Sequence, residues 1–262
     1  MASMKESVFV LTLTPYRDAD LIVNFLSRDN GKLSAVIYRG RTLGKSSSFL
    51  YNPGDLIEIE YQVYENREFI RIENTIGIDL LRADQISYDQ FVIHSYLIEI
   101  ITKVSKPALP ADEIFELLAT ISQSTWTEKN RYSLLLWAIW KVIKWGGYQI
   151  DFSNCCQCLQ SSWKIKANHE PAFRKQTYSL LLETGRLVCG SCLQSSEKAQ
   201  TVSSAMVKIL WLFSRSENHE ELYNDFPLNT INDLTQLLNN YMLRCYELKP
   251  KSLDILTGFL QK

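Results

Sequence analysis

Two Cys-x-x-Cys pairs, 30 residues apart, constrain the fold of this 262-residue chain more than any other feature. The first pair is Cys155 and Cys158, and the second is Cys189 and Cys192. Each short loop lets two thiolates face one ion, and four thiolates suit tetrahedral Zn²⁺ with Zn–S bonds of about 2.3 Å. Typical pairs lie about 15–20 residues apart, so this separation is long. Because residues 178–183 between the pairs are strand-like, the pattern predicts a zinc-ribbon hairpin.

Three alternative roles for these cysteines stay open at the level of sequence. Four thiolates also ligate iron–sulfur clusters, a Cys-x-x-Cys pair also serves thiol redox chemistry, and cysteines are often simple core residues. Zinc is favoured because no thioredoxin-like βαβ pattern surrounds the pairs. We therefore predict one structural zinc ion, with Cys156 and Cys245 outside its ligand set. Such a closed site stabilises a fold and leaves no coordination position for hydrolysis.

The first 80 residues carry the pattern of a small β-barrel. Five strand-like runs follow one another without a helical period: 7–13, 21–27, 32–39, 56–64 and 68–73. Asn30-Gly31, between the second and third runs, is a strong hairpin signal. The fourth run alternates apolar and polar residues, as a half-buried strand does. Five short strands in about 75 residues predict a five-stranded barrel.

Beyond residue 84 the hydrophobic period becomes helical. Helical spacing covers five segments: 86–104, a segment that begins at 111–113, 130–145, 203–215 and 230–248. Trp137, Trp140 and Trp145 follow this spacing and are assigned to the core in preference to a partner interface. The sequence thus predicts an α+β protein of several domains. The barrel spans 1–80, and a helical domain spans 81–262 with a zinc-binding insertion at 150–198.

The sequence carries no signature of catalysis or of membrane insertion. Residues 38–47 miss the P-loop pattern, because three residues separate the glycines where four are needed. Neither a His-Glu-x-x-His pair nor a Gly-x-Ser-x-Gly elbow occurs, so we predict no catalytic residue and no enzyme. The longest apolar run, 134–140, is far shorter than the roughly 20 residues of a membrane helix. Since the N-terminus also lacks a signal-peptide pattern, we expect a cytosolic protein without a membrane partner.

The net charge of −1 means that nucleic-acid binding would depend on a local patch. Residues 28–45 hold five cations against a single acid, Asp29. The cations are Arg28, Lys32, Arg39, Arg41 and Lys45. Cations neutralise phosphates and release counterions, and an aromatic such as Tyr38 can stack on a base. The stretch is a candidate nucleic-acid surface, and an ordinary solvated loop is the plain alternative.

Several short motifs share the order and the character of those in one protein family. They are residues 14–23 (TPYRDADLIV), the basic turn at 31–41, Gly147-Tyr148 ahead of the first cysteine pair, Gly185 ahead of the second, and residues 248–252 (LKPKS). With them, nearly the whole chain resembles the RecO family of bacterial recombination mediators. Two features depart from that family: the segment between the cysteine pairs is longer, and Thr184-Gly185 stands where Gly-Gly is common.

The resemblance implies an oligonucleotide/oligosaccharide-binding (OB) fold, then a helical domain with an embedded knuckle of four cysteines. It also implies that the protein binds single- and double-stranded DNA and anneals complementary strands in the bacterial cytosol. With RecR, a RecO-like protein promotes RecA loading onto DNA coated by single-stranded DNA-binding protein. Phosphate contacts are then expected first at Arg39, Arg41 and Lys45, and next at Lys32 and Arg28. An RNA-binding or transcription-associated module with the same barrel and ribbon is the alternative, and a thiol redox enzyme is another.

Overall fold

The structure is a computed structural model that describes residues 3–40, 51–63, 69–80, 86–124, 126–127, 130–165, 171–174, 177–194, 198–215 and 226–260. The strands in these ranges are β1 (Met4–Tyr16), β2 (Asp20–Ser27), β3 (Gly31–Ile37), β4 (Leu56–Gln62), β5 (Arg71–Asp79), β6 (Asp151–Cys155), β7 (Trp163–Ile165), β8 (Pro171–Phe173), β9 (Tyr178–Leu181), β10 (Arg186–Cys189) and β11 (Ala199–Val202). The helices are α1 (Tyr88–Val104), α2 (Asp112–Gln123), α3 (Arg131–Trp145), α4 (Ser204–Arg215), α5 (Leu228–Cys245) and α6 (Leu253–Leu260). Of these helices, none combines the length and the apolarity needed to cross a lipid bilayer.

The chain divides into two compact units. The first joins Met1–Trp126 to Pro250–Lys262 and contains β1–β5, α1, α2 and α6. The second is Thr127–Lys249 and contains α3, β6–β11, α4 and α5. Helical periodicity did not identify α6, because its eight residues make only about two turns. The domain limits proposed from the sequence at residues 80, 150 and 198 stay predictions.

Strands β1–β5 form one antiparallel sheet in the order β3-β2-β1-β4-β5. The alternation predicted for the fourth strand is confirmed, because every second residue of β4 is buried. These residues are Ile57, Ile59 and Tyr61, and they face the core of the sheet. The same core contains Val8, Val10, Val23, Phe25, Ala35 and Ile70.

The sheet is open, which corrects the prediction of a five-stranded barrel. Its edge strands β3 and β5 are not paired in a ladder within the described residues. One isolated parallel bridge joins Ala35 to Ile70, where the Ile70 N–H donates to the Ser34 carbonyl oxygen at 2.9 Å. A register shift between Val10 and Thr12 disrupts the β1–β2 ladder, as a bulge does. Closure depends on the register of strands far apart in the sequence, and hydrophobic alternation does not encode that register.

Helix α2 packs against β1. Four consecutive residues of β1, 8–11, are almost completely buried, so both faces of the strand are covered. Phe9 packs on Phe115 of α2 with ring centroids 4.9 Å apart. Such an aromatic pair adds about 1 kcal/mol beyond the area that it buries.

Helix α3 forms the centre of the second unit and packs against α5. The core assignment of Trp137 and Trp140 is confirmed, since both are buried, whereas Trp145 is only half-buried. Trp140 stacks on Phe213 of α4, with ring centroids 6.0 Å apart. Beside these helices lie a four-stranded sheet, in the order β11-β9-β10-β6, and the β7–β8 hairpin.

Glu99, on α1, is hydrogen-bonded to the residues just before α6. Its carboxylate accepts the backbone N–H of Lys251 at 2.8 Å and that of Ser252 at 3.0 Å, and the Ser252 hydroxyl at 2.7 Å. The Lys103 ammonium lies 3.3 Å away. Burial alone would raise the pKa of Glu99, but these contacts outweigh it and lower the pKa from 4.5 to about 2. The carboxylate therefore contributes stability that is present above pH 4.5 and is lost as the pH falls towards 2.

Replacing Glu99 with Gln is expected to lower the free energy of unfolding by about 2 kcal/mol at pH 7, because three hydrogen bonds lose a charged acceptor. The loss is expected to shrink as the pH falls from 4.5 towards 2, since wild-type Glu99 then becomes neutral as well. Hydrogen exchange of the α1 amides, which belong to the first unit, measures both effects in a urea series across this pH range. Glu113→Gln, on the exposed first turn of α2, is the control variant. A pH-independent difference between wild type and Glu99→Gln would contradict the assignment.

Candidate metal centre and nucleic-acid interface

Each Cys-x-x-Cys motif forms a turn at the end of a strand of one sheet. Strand β6 ends at Cys155, β10 ends at Cys189, and the two strands pair in parallel. In each turn the N–H after the second cysteine donates to the carbonyl of the first. Leu159 donates to Cys155 at 2.9 Å, and Leu193 donates to Cys189 at 3.0 Å. Because the turns are alike and the strands are neighbours, the thiols converge.

The structure brings the four predicted ligands together. The Sγ atoms of Cys155, Cys158, Cys189 and Cys192 all lie within 4.8 Å of one another. The sulfurs of Cys158 and Cys189 are 3.8 Å apart. A tetrahedron with Zn–S bonds of about 2.3 Å has edges of about 3.8 Å, so this donor set fits a zinc ion. The cluster can hold a metal, and the identity of that metal stays a prediction.

The backbone around the cluster favours thiolate at its most buried position. Burial raises the pKa of Cys155, but backbone N–H groups of Cys158, Cys189 and Gln157 outweigh burial and lower it to about 6. The Cys189 nitrogen lies 3.4 Å from the Cys155 sulfur. Hydrogen bonds to the sulfurs of Cys189 and Cys158 raise the pKa of Cys192 to about 12. A metal ion would displace the remaining protons, since only deprotonated cysteines ligate metals.

A short repeat underlies the two turns and was not predicted. Cys-Leu-Gln-Ser-Ser occurs at 158–162 and again at 192–196. In the first copy, the Ser162 hydroxyl donates to the Phe152 carbonyl at 2.6 Å and ties the turn back to β6. The last residues of the second copy lie outside the described residues. Cys156 and Cys245, predicted to be bystanders, are not members of the converging cluster.

Of the five predicted phosphate contacts, Arg41 and Lys45 lie outside the described residues. Arg28 lies in the described part of the chain, and its guanidinium is 2.5 Å from a carboxylate oxygen of Asp112 and 2.5 Å from one of Glu116. These ion pairs connect the end of β2 to α2. An arginine already neutralised by two carboxylates attracts phosphate less strongly than one that faces only solvent.

Lys32 and Arg39 are placed differently from each other. The Lys32 ammonium donates to the Thr102 carbonyl in the last turn of α1 at 3.1 Å, and burial lowers its pKa. Arg39 is exposed in the turn after β3, at a φ of 53°. Its backbone N–H donates to the Asp20 carboxylate at 2.8 Å. Of the three described cations, Arg39 is the exposed one, and all five assignments stay predictions.

A cleft of about 760 Å³ opens in the first unit between β3 and β5, next to the Ala35–Ile70 bridge. We call it the edge cleft. Tyrosine and arginine side chains are prominent in its lining: Tyr16, Arg17, Tyr38, Tyr51 and Arg71. Only Tyr38 among them was predicted as a candidate, because the other four are brought together by strand pairing and not by sequence proximity.

Comparisons with known proteins agree with this architecture. The family model for the N-terminal part of recombination protein O matches residues 1–80, and that for its C-terminal part matches residues 87–254.

DNA repair protein RecO of Syntrophus aciditrophicus (strain SB) is 25% identical over 257 residues, which is 97% of this chain and 95% of that protein. DNA repair protein RecO of Koribacter versatilis (strain Ellin345) is 22% identical over 163 residues, which is 60% and 64% of the two chains. Among solved structures, an asparaginyl-tRNA synthetase from Entamoeba histolytica aligns with 94% of this chain and 56% of its own, at 12% identity and a TM-score of 0.29. The two family models span nearly the whole chain, which therefore belongs to the RecO family of DNA repair and recombination proteins.

Proposed function

We propose that this chain is a DNA-binding recombination mediator. It binds single- and double-stranded DNA and anneals complementary strands in the bacterial cytosol. With RecR it promotes RecA loading onto DNA coated by single-stranded DNA-binding protein. The observation that carries the proposal is the match of both family models across the chain. The five cations and one acid at residues 28–45 supply the electrostatic means.

Annealing needs no covalent chemistry, so the proposed protein is not an enzyme. Two DNA strands are polyanions, and their mutual repulsion opposes pairing. A surface that binds both strands raises their effective concentration and neutralises part of their charge. We assign the first phosphate contacts to Arg39, Arg41 and Lys45. Lys32 and Arg28 contribute less, because Thr102, Asp112 and Glu116 already occupy their polar heads.

The four cysteines would hold one zinc ion with a structural role. A site with four protein ligands has no position left for water or substrate, and its metal contributes to folding. The ion would tie β6 to β10 across the two turns that follow them.

The direct test of the proposal is annealing of two complementary labelled DNA strands over a salt series. We expect annealing that falls steeply as salt rises, because salt competes with phosphate contacts. RNA strands of the same sequence separate this proposal from an RNA-binding module, since only RNA offers the 2′-hydroxyl. If the protein neither anneals nor binds DNA at low salt, the proposal is wrong.

Changing Arg39, Arg41 and Lys45 together to Ala is expected to weaken DNA binding at low salt without sequence preference. Three lost phosphate contacts are expected to flatten the plot of log affinity against log salt by about 2–3 units, since each contact releases about one counterion. Fluorescence anisotropy with a labelled oligomer, between about 50 and 200 mM salt, measures this slope.

The matched control keeps every charge: Arg39→Lys, Arg41→Lys and Lys45→Arg in one chain. We expect its salt slope to equal that of the wild type. A triple Ala variant with the wild-type slope would show that the phosphate contacts lie elsewhere on the protein.

A further inference from the structure

We propose that the edge cleft binds unpaired bases by stacking them on Tyr38 and Tyr16, so that it accepts single-stranded DNA and not duplex. The inference rests on the proposed DNA-binding function and adds to it a site that distinguishes single-stranded from double-stranded DNA. In the proposed function the cations of residues 28–45 contact phosphates, which both forms of DNA carry. The cleft would contact bases, which only a single strand exposes.

The position of the cleft follows from the incomplete closure of the sheet. Strands β3 and β5 are the two edges of the sheet, and an isolated bridge joins Ala35 of β3 to Ile70, the residue before β5. The cleft lies beside this bridge, lined by the end of β3 and the first half of β5. Its volume, about 760 Å³, falls within the range of about 300–1,000 Å³ that ligand pockets span.

Part of the cleft lining is rigid. The Tyr51 hydroxyl is hydrogen-bonded to the Thr75 hydroxyl at 2.8 Å. The Tyr51 ring also packs edge-on against Phe25 in the sheet core, with centroids 6.2 Å apart. Tyr51 is therefore a structural wall of the cleft, held in one orientation before any ligand arrives.

Two further tyrosines of the lining are more open to solvent. Tyr38 is 72% exposed, so its ring is accessible to a ligand. Tyr16 is half-buried at the end of β1. A base has a π-face whatever its identity, so aromatic rings can stack on it without sequence preference. These rings match the chemistry of an unpaired nucleobase, whereas bases inside a duplex are already stacked on one another.

The lining carries two cations, Arg17 and Arg71, and Arg71 lies two residues before Glu73 on β5, so it offsets the negative charge on that side of the cleft. The Arg17 guanidinium lies 5.0 Å from the Tyr16 ring centroid, in cation–π geometry. A base on Tyr16 would thus place its phosphate next to a cation.

Glu73, on β5, is the carboxylate of the lining. It accepts hydrogen bonds from Gln62 at 2.6 Å and from Ser3 at 3.1 Å, so it is fixed. The β5 side of the cleft thus carries one charge of each sign, whereas Arg17 adds a positive charge to the other side. We therefore infer that the strand backbone follows the Arg17 side of the cleft.

This arrangement would give the protein a means to release its product. Bases held on Tyr38 and Tyr16 leave the cleft when they pair, so the duplex keeps only its phosphate contacts. Annealing would then weaken binding without any conformational switch.

The test compares three probes of equal length: a single-stranded oligomer, an abasic strand with the same phosphates, and a duplex. Wild type is expected to bind the single strand about tenfold more tightly than the abasic strand, because stacking of one or two bases contributes about that much affinity. Tyr38→Ala combined with Tyr16→Ala is expected to remove that preference and leave duplex binding unchanged. Tyr38→Phe with Tyr16→Phe, which keeps both rings, is the matched control. Glu73→Gln is expected to tighten binding of the single strand.

The outcomes separate the two proposals. If wild type binds the abasic strand as tightly as the normal one and the Ala variants change nothing, the edge cleft does not bind bases, while the mediator proposal stands. If the Ala variants lose duplex binding to the same extent, the tyrosines act through the fold or the phosphates, and the inference is wrong. If wild type binds no probe at low salt, the mediator proposal fails, and this one fails with it.

Discussion

Replacing Cys155 with Ser is expected to abolish the zinc binding proposed for the four-cysteine cluster and to unfold the sheet formed by β6, β9, β10 and β11. Cys155 is completely buried, and three backbone N–H groups stabilise its thiolate. A serine hydroxyl does not ionise near neutral pH and does not replace a thiolate ligand. Because binding of a structural metal is also folding free energy, we expect a loss of more than about 4 kcal/mol in this part of the chain.

The measurement must resolve the two compact units, since one unfolding midpoint is not well defined for such a chain. Hydrogen exchange of the β9 and β10 amides reports on the sheet that carries the four-cysteine cluster. Exchange of the β1 and β4 amides reports on the other unit and is expected to stay close to wild type. Metal content is read on the same sample, and we expect about one zinc per wild-type chain and none in the variant.

Cys156→Ser is the matched control, because it removes the adjacent thiol, which is not part of the converging cluster. We expect it to keep its zinc and its protection against exchange. Iron in place of zinc in the wild type would overturn the choice of metal. Thiols that react at the same rate before and after treatment with a chelator would instead support a redox role, since metal-bound cysteines become reactive only when the metal leaves.

The four-cysteine cluster and strands β1–β4 were predictable from sequence because their signals are local, whereas the fifth predicted run, 68–73, overlaps only the start of β5. Spacing within each Cys-x-x-Cys motif defines a turn that presents two sulfurs, and alternation along β4 defines its buried face. The hairpin predicted between the cysteine pairs is confirmed as β9 and β10, with Gly185 in its turn at a φ of 67°. Helical periods likewise identified α1 to α5, since each spans at least three turns.

What the sequence did not predict depends on contacts between distant residues. Arg28 was assigned to phosphate from its basic neighbours, but its carboxylate partners Asp112 and Glu116 lie more than 80 residues further along the chain.

The strands β7 and β8 are three residues long, too short for a periodic signal. They pack on α4 through Trp163 and Phe173, whose rings both lie 6.1 Å from that of Trp211.

Gly31, at the junction of β3 with the turn that follows Arg28, has no room for a side chain. Its φ is +63°, which costs an L-residue roughly 1–2 kcal/mol. A Cβ at this position would lie 2.2 Å from the carbonyl oxygen of Leu109 and 2.5 Å from that of Lys106. Both are backbone atoms of the loop between α1 and α2, so the loop itself must move to relieve the clash.

Gly31→Ala is therefore expected to lower the free energy of unfolding of the first unit by about 3–5 kcal/mol. Movement of the loop would break two backbone hydrogen bonds, from Lys32 to Lys106 at 3.1 Å and from Ala108 to Asn30 at 3.0 Å. Amide exchange in β2 and β3 measures the effect where it arises.

Gly147→Ala is the control that separates the clash from the backbone cost. Gly147 has a φ of +78°, but a Cβ there meets no atom within 4 Å. Gly147 lies in the second unit, so amide exchange in α3 reports on this variant. We expect it to lose only about 1–2 kcal/mol, from the strained backbone alone. The difference between the two losses of unfolding free energy then measures how firmly the loop after α1 contacts the Asn30-Gly31 turn. That contact orients the turn between Arg28 and Lys32. Equal losses of unfolding free energy in the two variants would mean that the loop moves aside at no cost. The contact with the loop would then not hold the turn in place.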